Sequence, residues 1–123
     1  MTVGTFGTIC LNKDVYNIQG ADIAEIDSIK ANTNQFNFKS VKYMEAGMPY
    51  VFLTTDTKIT GIYGNNIVDS PKNKNGLYGT LSETNVPAGT YVFGSGGKLY
   101  KLVSNTTMPA NRAYIVMDEV PIT

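Results

Sequence analysis

Catalysis in proteins most often runs through histidine, an activated thiol or a pair of carboxylates, and this chain contains no histidine. That removes the commonest general base, the base of a Ser–His or Cys–His pair, and the commonest metal ligand. Carboxylates can act in pairs, as in glycosidases. The candidates are Asp22, Glu25, Asp27, Asp56, Asp69, Glu83, Asp118 and Glu119. No two of them form a pair embedded in apolar sequence, and Asp22, Glu25 and Asp27 read as the solvated side of a strand or turn, because acidic side chains are rarely buried. No Asp-x-Asp-x-Asp-Gly loop is present for calcium. The single thiol, Cys10, stands in the apolar run Ile9-Cys10-Leu11 and reads as a small buried hydrophobe. Gly94-Ser95-Gly96-Gly97-Lys98 invites comparison with a phosphate-cradling loop, but that pattern needs Gly at 92 and Ser or Thr at 99, where the chain has Val92 and Leu99. A glycine-rich hairpin is the better reading. The expectation is a protein that is not an enzyme, with no cofactor and no metal site.

Aromatic side chains are the remaining recognition chemistry, since tyrosine offers rigid amphipathic area at little entropic cost. Tyr50, Tyr91 and Tyr114 recur at strand starts and read as structural. Tyr16, Tyr63 and Tyr78 sit nearer turns and are the candidate ligand-binding residues, for a glycan or a protein partner.

The elements that would position them are strands. Met44 to Phe52 reads as a turn at Gly47 feeding an extended run opened by Pro49. The device returns at Ala88-Gly89-Thr90-Tyr91-Val92-Phe93 and at Ala110-Asn111-Arg112-Ala113-Tyr114-Ile115-Val116, where Asn111 takes the glycine place. Further strands are expected over Thr5 to Leu11 (opened by Gly4), Val15 to Ile18, Phe36 to Tyr43, Lys58 to Tyr63, Leu77 to Leu81 and Lys98 to Val103. Ala21 to Ile29 is ambiguous: Ile23, Ile26 and Ile29 recur at three, which hints at a helical turn, and a strand is favoured. Gly64-Asn65-Asn66 reads as a turn, and Asn32 to Asn37 and Ser70 to Asn75 as surface loops. In Tyr50-Val51-Phe52-Leu53 and Tyr114-Ile115-Val116-Met117 neither alternate set is polar, so these strands belong in the middle of an assembly of sheets.

The two halves echo each other. Gly4-Thr5-Phe6-Gly7-Thr8 matches Gly76-Leu77-Tyr78-Gly79-Thr80, Gly20 through Ile26 lines up with Gly96 through Leu102, and Met44 through Phe52 with Met108 through Val116. The expected fold is all-β, a two-sheet sandwich or partly open barrel, one domain over 1–123 with pseudo-repeated halves at about 4–69 and 76–120. At 123 residues the chain is long enough for one core. Ten basic and ten acidic residues cancel, which argues against a nucleic-acid partner. No apolar run approaches the ~20 residues that cross a bilayer as a helix. No leader precedes the first strand, which fits either a cytoplasmic protein or a piece of an exported chain.

The blocks GTFGTICL (Gly4 to Leu11), MEAGMPYVF (Met44 to Phe52), NGLYGTLSETNVPAGTYVF (Asn75 to Phe93), GGKLYKLV (Gly96 to Val103) and MPANRAYIV (Met108 to Val116) occur in that order. Together they resemble a β-rich module of cell-surface or secreted proteins of Bacteroidetes such as Bacteroides and Prevotella. Asn12-Lys13 departs from the pattern. The resemblance implies an exported, extracellular or cell-surface module, often near the C-terminal end of a larger chain and beside neighbouring domains, with no catalytic residues to carry over. Its implied role is structural or adhesive, with a protein or glycan partner; the alternative is a carbohydrate-binding module using Tyr16, Tyr63 and Tyr78. Asp27-Ser28-Ile29 also resembles the short O-glycosylation signal of such proteins.

Overall fold

The computed structural model describes residues 5–33 and 35–123. Gly4, expected to open the first strand, and Asn34, inside the expected Asn-rich loop, lie outside the described residues. In chain order the strands are β1 (Phe6–Cys10), β2 (Lys13–Gln19), β3 (Ala21–Ile29), β4 (Phe36–Val41), β5 (Pro49–Thr54), β6 (Thr60–Ile67) and β7 (Asn73–Lys74). They continue with β8 (Leu77–Gly79), β9 (Thr84–Val86), β10 (Tyr91–Phe93), β11 (Leu99–Lys101), β12 (Thr106–Met108) and β13 (Ala113–Ile115). These 13 strands form four antiparallel sheets; among the described residues there is no α-helix and the sheets do not close into a barrel.

The expectation of two sheets is met only in part. Two larger sheets, ordered β1-β5-β3-β4 and β11-β10-β13-β8-β7, are joined by two ribbons, β2–β6 and β9–β12. The larger sheets share a core of Ile26, Ile29 and Val51 from the first and Leu77, Ala113 and Ile115 from the second, closed by Val120. Phe6, Phe36 and Phe93 pack at its border, with Phe93 edge-on to both others at 5.3 Å. A second core lies on the other face of the first sheet, where Val15, Ile23, Met44 and Tyr50 meet under the β2–β6 ribbon. Strand β5 therefore buries both faces, Val51 into one core and Tyr50 into the other, which is what its unbroken apolar run requires.

All three turn devices take the backbone they were read for. Gly47 has φ +79°, Gly89 +90° and Asn111 +67°. Ala21 to Ile29 is a strand, and its spacing of three has two causes: Ile23 faces the second core and Ile26 the first, and a bulge separates Ile26 from Ile29. Ile26 pairs with Phe38 while Ser28 pairs with Asn37, so Asp27 is an extra residue, a bulge that returns Ile29 to the face of Ile26. Gly64-Asn65-Asn66 is not a turn but the middle of β6. Glycine is needed there for space, because a Cβ on Gly64 would lie 2.9 Å from Cε2 of Tyr16 and 3.2 Å from Cβ of Asp14. At Gly79 the two larger sheets come close together, since a Cβ there would meet the Cys10 sulfur at 2.4 Å.

Polar groups also tie the sheets together. The Thr8 hydroxyl accepts a hydrogen bond from the Ala113 N–H at 3.1 Å, Asn111 Nδ2 donates to the Cys10 carbonyl at 2.8 Å, and Asn75 Nδ2 donates to the Ile26 carbonyl at 2.8 Å. The C-terminal segment lies beside β3, with the Ile29 N–H donating to Pro121 and the Thr123 N–H to Ile29.

Candidate functional site

The β2–β6 ribbon carries two of the three candidate tyrosines on opposite faces. Register pairs Tyr16 with Ile62 and Val15 with Tyr63, so the side chains of Tyr16 and Tyr63 point away from one another. Tyr16 stacks on Tyr43 with ring centres 5.4 Å apart and planes 24° apart. Its hydroxyl donates to Asp14 Oδ2 at 3.3 Å, and Asp14 Oδ1 accepts the Ala46 N–H at 2.7 Å, which fixes the carboxylate. Desolvation, then the charge and hydrogen bond of Asp14, hold the Tyr16 hydroxyl above its ordinary pKa.

Tyr63 stands at the rim of an apolar groove of about 500 Å³. Ile9 of β1 and Leu11 just after it line the groove, together with Val15, Ile18 and Met44. The Lys13 ammonium lies 5.2 Å above the Tyr63 ring, a cation–π contact. Tyr78 lies in a different sheet. It pairs across strands with Tyr114, the rings stacked at 5.6 Å and 16°, and its hydroxyl donates to Glu119. That hydrogen bond is the main cause of a raised pKa, with desolvation and the Glu119 charge adding to it.

The three tyrosines thus make no common platform. Each ring also has a close neighbour: Tyr43 for Tyr16, Lys13 for Tyr63, Tyr114 for Tyr78. The structure adds residues that sequence reasoning passed over. Tyr43, Ile62 and Ile67 are exposed on or against the same ribbon. The available signal was the composition of Thr60 to Ile67, a strand-length run with two isoleucines, a tyrosine and no charge.

The remaining candidates are structural. Cys10 is fully buried, donates its thiol hydrogen to the Gly47 carbonyl at 3.3 Å, and burial pushes its pKa up to about 11. Asp22 and Asp27 are exposed as expected, but Glu25 is buried, contrary to its reading as a solvated residue. Its carboxylate is compensated by Lys74, which reaches over from the second sheet to 3.1 Å. Among the described residues no group of three or more Cys, Asp or Glu side chains is placed to hold a metal ion. Ser28 is buried and its hydroxyl accepts from Asn37 Nδ2 at 3.0 Å, so a glycosyltransferase could not reach it in the folded domain. No described helix is long and apolar enough to cross a membrane.

The fold and this ribbon define the class: an all-β domain of two larger sheets and two ribbons, one ribbon with an exposed, uncharged strand. The chain matches no protein-family model, no curated protein and no solved structure.

Proposed function

We propose that the chain is a non-catalytic module, extracellular or on the cell surface, that serves a structural or adhesive role by presenting the β2–β6 ribbon to a protein or glycan partner. The carrying observation is the apolar exposure concentrated there on both faces: Ile62, 59% exposed, beside the Tyr16–Tyr43 stack on one, Tyr63, 63% exposed, on the other, and Ile67, 59% exposed, at the end of the strand. Several exposed apolar side chains gathered on one short ribbon mark an interaction surface more than single scattered residues do. The resemblance to surface modules of Bacteroidetes is the ground for the location, and a position beside neighbouring domains of a larger chain goes with it.

The same reading includes a sandwich of two similarly built halves, about 4–69 and 76–120. Support comes from the order of pairing, since β1-β5-β3-β4 is echoed by β8-β13-β10-β11. The Val15–Met44 bridge has its counterpart in Thr84 opposite Met108, and the Gly47 N–H bonded to Leu11 has its counterpart in the Asn111 N–H bonded to Thr80. These equivalences support Met44–Phe52 with Met108–Val116. They set Thr80 against Leu11 rather than Thr8, and β11 against β4 rather than β3, so two of the sequence alignments shift.

The test coats beads with the domain and measures their adhesion to cultured epithelial cells. Replacing Ile62, Tyr63 and Ile67 together by serine is expected to lower adhesion at least about tenfold, as loss of a hot-spot cluster does, with the Tm nearly unchanged because these side chains are exposed. Unchanged adhesion of that variant, or none by the natural domain, overturns the reading. A glycan array separates the two partner classes. Binding there that is lost on Tyr16→Ala or Tyr63→Ala would select the carbohydrate-binding alternative, which at present has less support because Tyr16, Tyr63 and Tyr78 do not share a face.

A further inference from the structure

The second larger sheet opens along one seam. Strands β10 and β13 are paired only at Tyr91 and Ile115. Continued by two residues, that register would set Phe93 opposite Ala113. The Ala113 N–H instead donates to the Thr8 hydroxyl of the first sheet. Where the ladder ends, a cleft of about 270 Å³ opens between β10 and the β9–β12 ribbon. Its lining is mostly apolar, with Val86, Phe93, Leu102 and Met108, and carries the hydroxyls of Thr8, Thr106 and Thr107. The Thr8 hydroxyl is already engaged, accepting from the Ala113 N–H and donating to the Ala113 carbonyl.

One charged side chain lines this cleft, Arg112, the only arginine of the chain. Among the described residues its guanidinium has no carboxylate partner, and no acidic residue lines the cleft. Its backbone is held on both sides by Thr80, which is fully buried. The Arg112 N–H donates to Thr80 Oγ at 3.0 Å, the Thr80 N–H donates to the Arg112 carbonyl at 2.9 Å, and the Thr80 hydroxyl donates to Pro109 at 2.8 Å. The base of the side chain is therefore fixed at the mouth. A planar guanidinium with five donors matches a carboxylate in two-point fashion, and it does so best beside apolar surface that excludes water.

We propose that this cleft binds a small amphipathic monocarboxylate, its apolar body against Phe93, Leu102 and Met108 and its carboxylate on Arg112. The occupant follows from charge complementarity: an apolar slot with one unpaired cation selects an apolar molecule with one anionic end. This goes beyond the adhesive role and does not depend on it, since the cleft and the β2–β6 ribbon share no lining residue.

The experiment is a titration of the full chain, followed by amide chemical shifts, with octanoate and with its neutral counterpart octanamide. Octanoate is expected to give saturable shifts centred on Val86, Leu102 and Ala113, and octanamide to bind about tenfold more weakly, the worth of one charge-assisted pair. In Arg112→Gln, whose side chain is exposed, the Tm should hold while octanoate weakens to the level of octanamide. Equal binding of acid and amide overturns the proposal. So do undiminished octanoate binding by Arg112→Gln, shifts centred on Ile9 and Leu11 instead, or no saturable shift up to about 10 mM, weaker than any useful small-ligand affinity.

Discussion

Two residues that sequence alone marks as unremarkable, Cys10 and Gly79, meet where the larger sheets touch. Gly79→Ala would drive a methyl group to within 2.4 Å of the Cys10 sulfur. Overpacking of this kind costs about 1–3 kcal/mol, and the Tm of Gly79→Ala should fall accordingly. Adding Cys10→Ala removes the sulfur and should recover part of the loss, so a double-mutant cycle should show clear coupling between the positions. The Cys10 thiol also titrates with folding. Burial raises it from 9.0 to about 11, and burial raises Tyr50 from 10.0 to about 12 against the lowering effect of the Glu45 N–H. Each folded pKa exceeds its unfolded value, so the folded state holds more protons in between, and stability declines as pH rises through these windows. Urea midpoints should be level below pH 9.0 and fall towards about 11, and Cys10→Ala should blunt the first part of that fall. The burial of Cys10 was legible from its apolar neighbours. That of Glu25 was not, because its partner Lys74 belongs to a different sheet and nothing local announces the pair.

Among the elements, the three turn-strand units differ in what holds the turn. Gly89 has φ +90° and open space around it, whereas Gly47 at φ +79° has Val68 Cγ2 at 2.8 Å and the Ser70 carbonyl at 3.1 Å from the position of a Cβ. Gly89→Ala should cost only the left-handed backbone strain, about 1–2 kcal/mol. Gly47→Ala adds steric conflict and should cost more, an order that thermal melts of the two variants will test. The turn signals were readable because φ > 0 demands particular residues. Two other elements misled for physical reasons. The bulge at Asp27, with Ile23 facing one core and Ile26 and Ile29 the other, gave β3 a helical spacing, and the close approach of Tyr16 to Gly64 placed a glycine in mid-strand beside two asparagines, a combination that ordinarily breaks strands. The short β9 and β12 left no periodic trace at three residues each. The candidate site suffered most, because nothing local in Thr60 to Ile67 tells which face of that strand a second layer covers.

Considered whole, the chain is stitched by contacts between distant segments. Phe6 pairs with Leu53, Leu77 with Ile115, and Asn111 reaches back to Cys10. Such topology folds slowly, on the order of milliseconds to seconds. The core between the two larger sheets is built from both at once, so neither half can bury that apolar face alone. A single cooperative transition is expected, with coincident curves from far-ultraviolet dichroism and tyrosine fluorescence; a fragment ending at Asp69 should show neither. The both-face apolar runs of β5 and β13 foretold that they would lie inside their sheets, but not how the ribbons would cover them.

The bond between Ala113 and Thr8 has a consequence for kinetic measurement. Most amide protons in a sheet report the fraying of their own ladder, but this one is guarded by a hydroxyl belonging to the opposite layer. Deuterium should enter at Ala113 when the layers part, and Thr8→Val should release that proton early while its neighbours stay protected. A single nuclear resonance thereby becomes a gauge of interlayer breathing, readable without any attached label.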